Sequence, residues 1–365
     1  MKNSFLISAL ILLSAIGLAG CGKSTVKEAP ATPEELSLTS EVFITDSLLD
    51  KPIAMTVTDR DFIIVNSYNN DTLISVFTLD GSHVTNLIAK GEGPKEALWI
   101  PNIQYDMRDG SIYASDLMKN KLLHIVDYGS DFPQIETVFD YNAPNNDSIV
   151  LSGNIGKLSD GNFIATNNTN KGMMALFNSD GMLSGTDIPY PDKSLINEKL
   201  TDMANALLYQ SELTISPDGN FCAIFCFYAD VRFFINLKDG KINVSSFEDA
   251  YPNDIYLMEI NADSNQGLFT KESKHYTLGS SLSNKYAYEL HMGLPAKDLC
   301  ETEFYQDVKM FGSNTVRVYD REGNHVKTIT LDRWAKALAV SPDDKYLYTL
   351  TESSDNGYTI LRYSL

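Results

Sequence analysis

SPDGNFCAIF (216–225) and SPDDKYLYTL (341–350) are two copies of one pattern, a polar turn running into a strand rich in aromatic and branched residues. Looser copies are TDRDFIIVN (58–66), MRDGSIYASD (107–116), LSDGNFIAT (158–166) and SNKYAYEL (283–290). Anchored on positions 60, 109, 160, 218, 284 and 343, they step along the chain by 49, 51, 58, 66 and 59 residues. Each of the first five is followed by a second hairpin type: FTLDGSHV (77–84), IVDYGSDF (125–132), LFNSDGML (176–183), INLKDGKI (235–242) and VYDREGNHV (318–326). Asp-Gly and similar pairs suit tight antiparallel turns, because one or both turn residues need φ > 0.

One hairpin of each type makes a four-stranded unit of about 50 residues, the size of a propeller blade. The chain is therefore read as all-β, a six-bladed β-propeller. A seventh blade could fit in 245–312, where the spacing stretches. The last unit, Arg333 to Leu365, has room for about three strands, and SEVFITDSLL (40–49) is an orphan strand. Closing the ring with this N-terminal strand removes two exposed edges that would invite aggregation. A sandwich or solenoid would not explain the ordered alternation of two hairpin types.

The N-terminus has a different character. MKNSFLISALILLSAIGLAGC places Lys2 before an apolar stretch from Phe5 to Leu18. That stretch suits a signal peptide and falls short of the ~20 residues a spanning helix needs. It ends in Leu18-Ala19-Gly20-Cys21, which resembles the lipobox of bacterial lipoproteins. The resemblance implies a signal peptide over 1–20, cleavage before Cys21, and acyl chains on Cys21 that anchor the chain stably. Residues 21–38 are small, polar and proline-bearing and read as a flexible tether, with the propeller over 39–365. No acidic run follows Cys21, and Gly22 does not resemble the aspartate retention signal of inner-membrane lipoproteins. The expected location is the outer membrane facing the periplasm, with the cell surface second. Gly17 to Ser24 also satisfies GxxxxGK[ST], but that motif needs a strand before it and a helix after it. Here an apolar leader precedes it, prolines 30 and 33 follow, and cleavage would remove Gly17.

The formal charge is −19. Such a surface repels nucleic acid and anionic lipid, so neither is an expected partner. Cys222 and Cys226 lie four residues apart on one strand, too far to bridge each other. Either could pair with Cys300, although all three read better as small buried apolar residues.

SPDGNFCAIF and SPDDKYLYTL resemble the SPDG-type turns of TolB-like propellers. GSIYASD is similar to the signatures of NHL and YWTD six-bladed propellers. Lys90-Gly91-Glu92-Gly93-Pro94-Lys95-Glu96 resembles the GxGPGEF loop of bacterial six-bladed TolB-like lipoproteins, with Lys95 in place of the glycine and the phenylalanine absent. The resemblance implies the fold and a cell-envelope location, but no particular activity.

In this geometry both hairpin types turn on one face. The other face carries the long insertions, roughly 188–210, 247–274 and 291–311, and long loops on a rigid scaffold are where ligands bind. The ligand-binding candidates are Lys90, Glu92, Lys95, Glu96, Trp99 and Asn102 before the second blade, Tyr209 and Gln210 before the fourth, and Arg333 and Trp334 before the sixth. An aromatic face beside amides and charges would stack on a sugar or clamp a peptide; the plainer reading makes the two tryptophans inter-blade wedges. No catalytic residue is assigned: sialidase boxes, a GxSxG elbow and a persuasive His–nucleophile pair are all missing. No cofactor is expected, though a lactonase-type arrangement, with Asn102 and Asn154 in plausible positions, leaves a channel-bound divalent metal open. The expected function is a lipid-anchored, non-catalytic binding or scaffolding module for a protein, peptide or glycan. The alternative is a metal-dependent hydrolase or lactonase acting on envelope or glycan material.

Overall fold

The computed structural model describes residues 32–45, 49, 51–66, 69–101, 103–140, 151–169, 172–185, 209–250, 255–261, 264–269, 273–295, 312–352 and 357–365. Cys21, Asn102 and Cys300 lie outside them, as do most of the expected long insertions. All regular structure among the described residues is strand.

Two strands come first, β1 (Glu34–Leu38) and β2 (Glu41–Ile44). Four four-stranded antiparallel sheets follow in order. Blade one is β3 (Pro52–Val57), β4 (Asp61–Asn66), β5 (Thr72–Thr78) and β6 (His83–Ala89). Blade two is β7 (Ile103–Asp106), β8 (Ser111–Asp116), β9 (Lys121–Val126) and β10 (Gln134–Asp140). Blade three is β11 (Leu151–Lys157), β12 (Phe163–Thr169), β13 (Gly172–Phe177) and β14 (Leu183–Gly185). Blade four is β15 (Ser211–Ile215), β16 (Phe221–Cys226), β17 (Asp230–Lys238) and β18 (Lys241–Ala250). The stretch expected to hide a seventh blade holds a two-stranded sheet, β19 (Ile255–Asn261) and β20 (Ser264–Phe269). Blade five is β21 (Lys274–Leu282), β22 (Tyr286–Pro295), β23 (Ser313–Asp320) and β24 (His325–Ala335). Blade six is β25 (Ala337–Val340), β26 (Tyr346–Glu352) and β27 (Tyr358–Ser364), completed on its outer edge by β2. Six blades and closure by an N-terminal strand are therefore observed.

Burial explains the sequence pattern. The second strand of a blade is packed on both faces by its neighbours, so β8 and β16 are buried along their whole length. Cys222 and Cys226 sit in this run as free, buried thiols, and burial pushes both well above their ordinary pKa. Outermost strands such as β10 are mostly exposed or half-buried instead, with only Phe139 of β10 buried. Between blades the core is built from rings: Phe62, Phe43 and Tyr348 meet at centroid separations of 5.0–5.1 Å across the one–six junction. Each fully buried ring of this size stabilises the fold by roughly 2–3 kcal/mol.

The first hairpin type forms the turn between the first and second strands of every blade, and the second type the turn between third and fourth in blades one to five. Both therefore lie on one face, the turn face. Positive φ recurs in them, at Gly219 (69°) in SPDG and at Asp344 (58°), which takes the same role in SPDD.

One expectation is corrected. The tether was expected to run to residue 38, but β1 pairs in parallel with β24 as a fifth strand of blade five, from Glu34 opposite Lys327 to Leu38 opposite Leu331. The cause is readable: Leu36 and Leu38 alternate with polar residues and pack on a core cluster containing Ile329 and Leu331, while Glu34 pairs with Lys327 at 3.5 Å. Because β24 leaves the turn at 320–324, the chain joins the domain at the turn face.

Candidate functional site

The innermost strands β3, β7, β11, β15, β21 and β25 surround a central cavity of about 520 Å³, within the range of small-molecule sites. These strands do not pair with one another, so side chains bridge them. Thr56 Oγ1 donates to Ile103 O (2.9 Å), Gln104 exchanges two bonds with the Lys157 backbone (2.8 Å each), and Asn154 Nδ2 donates to Leu213 O (3.3 Å). Val340 N donates to Ser281 Oγ (3.0 Å), and between blades six and one Met55 and Val57 pack on Ala337 and Ala339.

The four–five junction differs in chemistry. Ser280 Oγ donates to Glu212 Oε2 at 3.0 Å and lies 2.6 Å from Thr214 Oγ1. With its one proton committed to the carboxylate, Ser280 must accept from Thr214. Burial raises the Glu212 carboxyl to about 7, against the opposing pull of hydrogen bonds from the Ser280 hydroxyl and backbone. Burial also pulls the His275 imidazole down to about 3, so it lines the cavity as a neutral ring. Phe227 stacks on His275 at 5.9 Å, and Tyr228 meets it edge-on at 5.1 Å. Trp99, Tyr105, Phe227 and Tyr228 give the wall an aromatic character.

The turn face is closed by blade-to-blade bonding. Met107 N, in the blade-two turn, donates to Pro217 O of blade four (3.0 Å), and Asn284 Nδ2 of blade five contacts Met107 Sδ (3.0 Å). Blade five stands opposite blade two in a six-membered ring, so this turn reaches across the axis. Around it, Ser159 N donates to Gly219 O (3.0 Å), Asp218 N to Asn284 Oδ1 (2.9 Å) and Tyr288 OH to Asp344 Oδ1 (3.0 Å). The turn face is thus spent on holding the ring together, and the cavity approaches the opposite face through Trp99, Gln210 and Tyr228.

The expected site residues are dispersed. Trp99 and Gln210 line the cavity. Trp99 is fixed by its backbone: its N donates to Asp116 Oδ1 (3.3 Å) and its O accepts from Leu117 N (3.1 Å). Gln210 O accepts from Phe227 N (2.8 Å). Tyr209, one position earlier, is buried in the blade three–four core. Lys90 is exposed, bridged to Ala97. Glu92 and Glu96 border a separate rim cavity of about 370 Å³ with Lys119. There Glu96 Oε2 accepts from Gly93 N (2.8 Å), and Lys119 Nζ donates to Gly93 O (3.2 Å) and Glu96 O (3.0 Å). Glu96 therefore staples its own loop. Lys95 borders a further surface pocket beside Phe132 and Glu136. Arg333 and Trp334, expected in a loop, belong to β24, because Lys336 alone joins blades five and six. Their side chains are exposed and outside the cavity lining.

Sequence reasoning missed Glu212, Thr214, Ser280, Tyr228 and His275. The period-2 alternation of SELTI (211–215) was its one available signal. Among the described residues no three His, Cys, Asp or Glu side chains gather as a metal site.

Six blades around a cavity closed on the turn side define a β-propeller with an axial pocket. The model of the TolB-like 6-blade propeller-like family matches residues 31–343, and the chain belongs to that family. No curated protein matches it. Among solved structures, a DUF4221 family member from Bacteroides vulgatus is similar at 12% identity and TM-score 0.59, over 91% of this chain and 98% of its own. A Bacteroides fragilis protein described as exported is similar at 14% identity and TM-score 0.52, over 91% and 99%. At these identities the likeness is one of fold.

Proposed function

We propose that this chain is an exported, lipid-anchored binding module that holds a small ligand in its axial pocket. The pocket itself carries the reading: its size, its aromatic wall and its few placed polar groups, Gln210, Asn154 and Glu212, match the usual make-up of a small-molecule site. The closed turn face directs access to the opposite, long-loop face. The exported location rests on the leader, the lipobox at Cys21 and the description of the B. fragilis neighbour as exported. The outer membrane facing the periplasm is the proposed site, with the cell surface second.

The test is retention. The purified full chain is incubated with the small-molecule fraction of an envelope extract, washed, and its bound compounds are read by mass spectrometry. A compound held by the wild type and lost from Trp99→Ala and Gln210→Ala supports the reading. Equal retention by both variants, or no retained compound, contradicts it.

A further inference from the structure

The pocket's charge is one-sided. Among the described residues lining it, Glu212 is the sole carboxylate, and no lysine or arginine is present. Three arginines of blades four and five lie outside the lining and are ion-paired elsewhere: Arg232 to Asp230 (2.8 Å) and Asp249 (2.6 Å), Arg317 to Asp230 (3.3 Å), and Arg321 to Asp218 (3.6 Å). Among the described residues Glu212 is hydrogen-bonded by Ser280 alone, and a carboxylate can accept about four hydrogen bonds, so it keeps acceptor capacity toward the cavity. The lining rings add to this. An aromatic face is the negative end of a quadrupole and attracts a desolvated cation. The chain's charge of −19 raises the local concentration of cations further.

We propose that the ligand is a small organic cation, whose ammonium group pairs with Glu212 while its apolar body lies against Trp99 and Tyr228. This deepens the binding-module reading and rests on it. A lone carboxylate would repel an anion, and a neutral ligand would leave the carboxylate without a counter-charge. The cavity of about 520 Å³ fits a single small molecule better than a folded partner.

The proposal carries a pH signature. With its carboxyl raised to about 7 by burial, free Glu212 is close to half protonated at neutral pH. A bound ammonium favours the ionised form, so binding expels a proton and tightens as pH rises. The other titratable residues in the pocket lining, His275, Tyr105 and Tyr228, stay neutral across that window. On β21 burial holds His275 low, and burial raises Tyr105 on β7 and Tyr228 beyond β16.

The probes are phenethylammonium, 2-phenylethanol and phenylacetate, similar bodies with positive, zero and negative charge, titrated calorimetrically into the full chain in detergent. The ammonium should bind at least about tenfold tighter than the alcohol, and phenylacetate more weakly than either. Its affinity should rise about tenfold from pH 6 to pH 8 and release a proton, seen as buffer-dependent heat. Glu212→Gln should bring it down to the alcohol's affinity and flatten the pH profile, and Tyr228→Leu should weaken it several-fold. Melting of both variants at pH 5 checks that they fold. If the alcohol binds as tightly as the ammonium, or Glu212→Gln keeps the preference, the cation inference falls and the pocket reading stands. If none of the three binds, both fall.

Discussion

At the scale of single residues, Glu212 ties the pocket to the stability of the fold. A carboxyl whose folded pKa lies near 7, above an ordinary value of 4.5, holds its proton more tightly in the fold than in the unfolded chain. Its contribution favours folding below about 4.5 and is lost as pH rises through about 7. The side chain reaches the cavity surface, so the full effect is bounded at roughly 3 kcal/mol. Thermal melting across pH 5–8 should show Glu212→Gln matching the wild type at pH 5 and equalling or exceeding it at pH 8. A variant that is less stable at both ends would mean the carboxylate is a simple strut. A turn residue gives a second prediction. Gly323 has φ 89°, and an added Cβ would stand 2.2 Å from the Phe247 ring and 2.5 Å from Phe234. Gly323→Ala should cost about 1–3 kcal/mol in denaturant melts, for both conformational and packing reasons. Sequence reading reached Gln210 and Trp99 because loops before innermost strands approach the axis. It missed Glu212 because alternation shows that positions 212 and 214 share a face, but not whether that face meets the channel or the neighbouring blade.

Among elements, the hairpin series was legible because each turn type carries its own chemistry, and every copy falls between the strands it was assigned to. The N-terminal strands show where such reading fades. β2 was legible as an orphan strand beside an incomplete blade. β1 is five residues with two leucines after a proline-bearing stretch, and nothing local separates it from a tether. Its stability comes from β24 and the cluster around Ile329 and Leu331, contacts almost 300 residues away in sequence. The two strands should therefore respond differently to removal. Deleting residues 22–38 should keep a closed ring, with a modest loss of melting temperature and more self-association through the bare β24 edge. Deleting on through Ile44 should remove the outer strand of blade six and abolish cooperative melting. Calorimetry with size-exclusion chromatography distinguishes the two. The separation of blades five and six was misjudged for a related reason: a single residue, Lys336, links the long β24 to the short β25, and Trp334 beside it reads locally like a loop residue.

For the whole molecule, the proposed lipid anchor and the axial pocket each make a demand. The first concerns the anchor. The full chain should partition with membranes and detergent, and Cys21→Ser should move it to the soluble fraction without altering its melting; membrane retention of that variant would contradict lipidation. The second concerns the pocket, and here the chain supplies its own reporter. It has two tryptophans, Trp99 in the pocket lining and Trp334 on the exposed end of β24. In Trp334→Phe, all tryptophan emission comes from Trp99. Acrylamide quenching of that emission, measured with and without the compound retained from the envelope extract, asks directly whether the ligand occupies the axial pocket. The account predicts saturable protection of Trp99 at the concentrations that give retention; unchanged quenching with the compound demonstrably bound would contradict it.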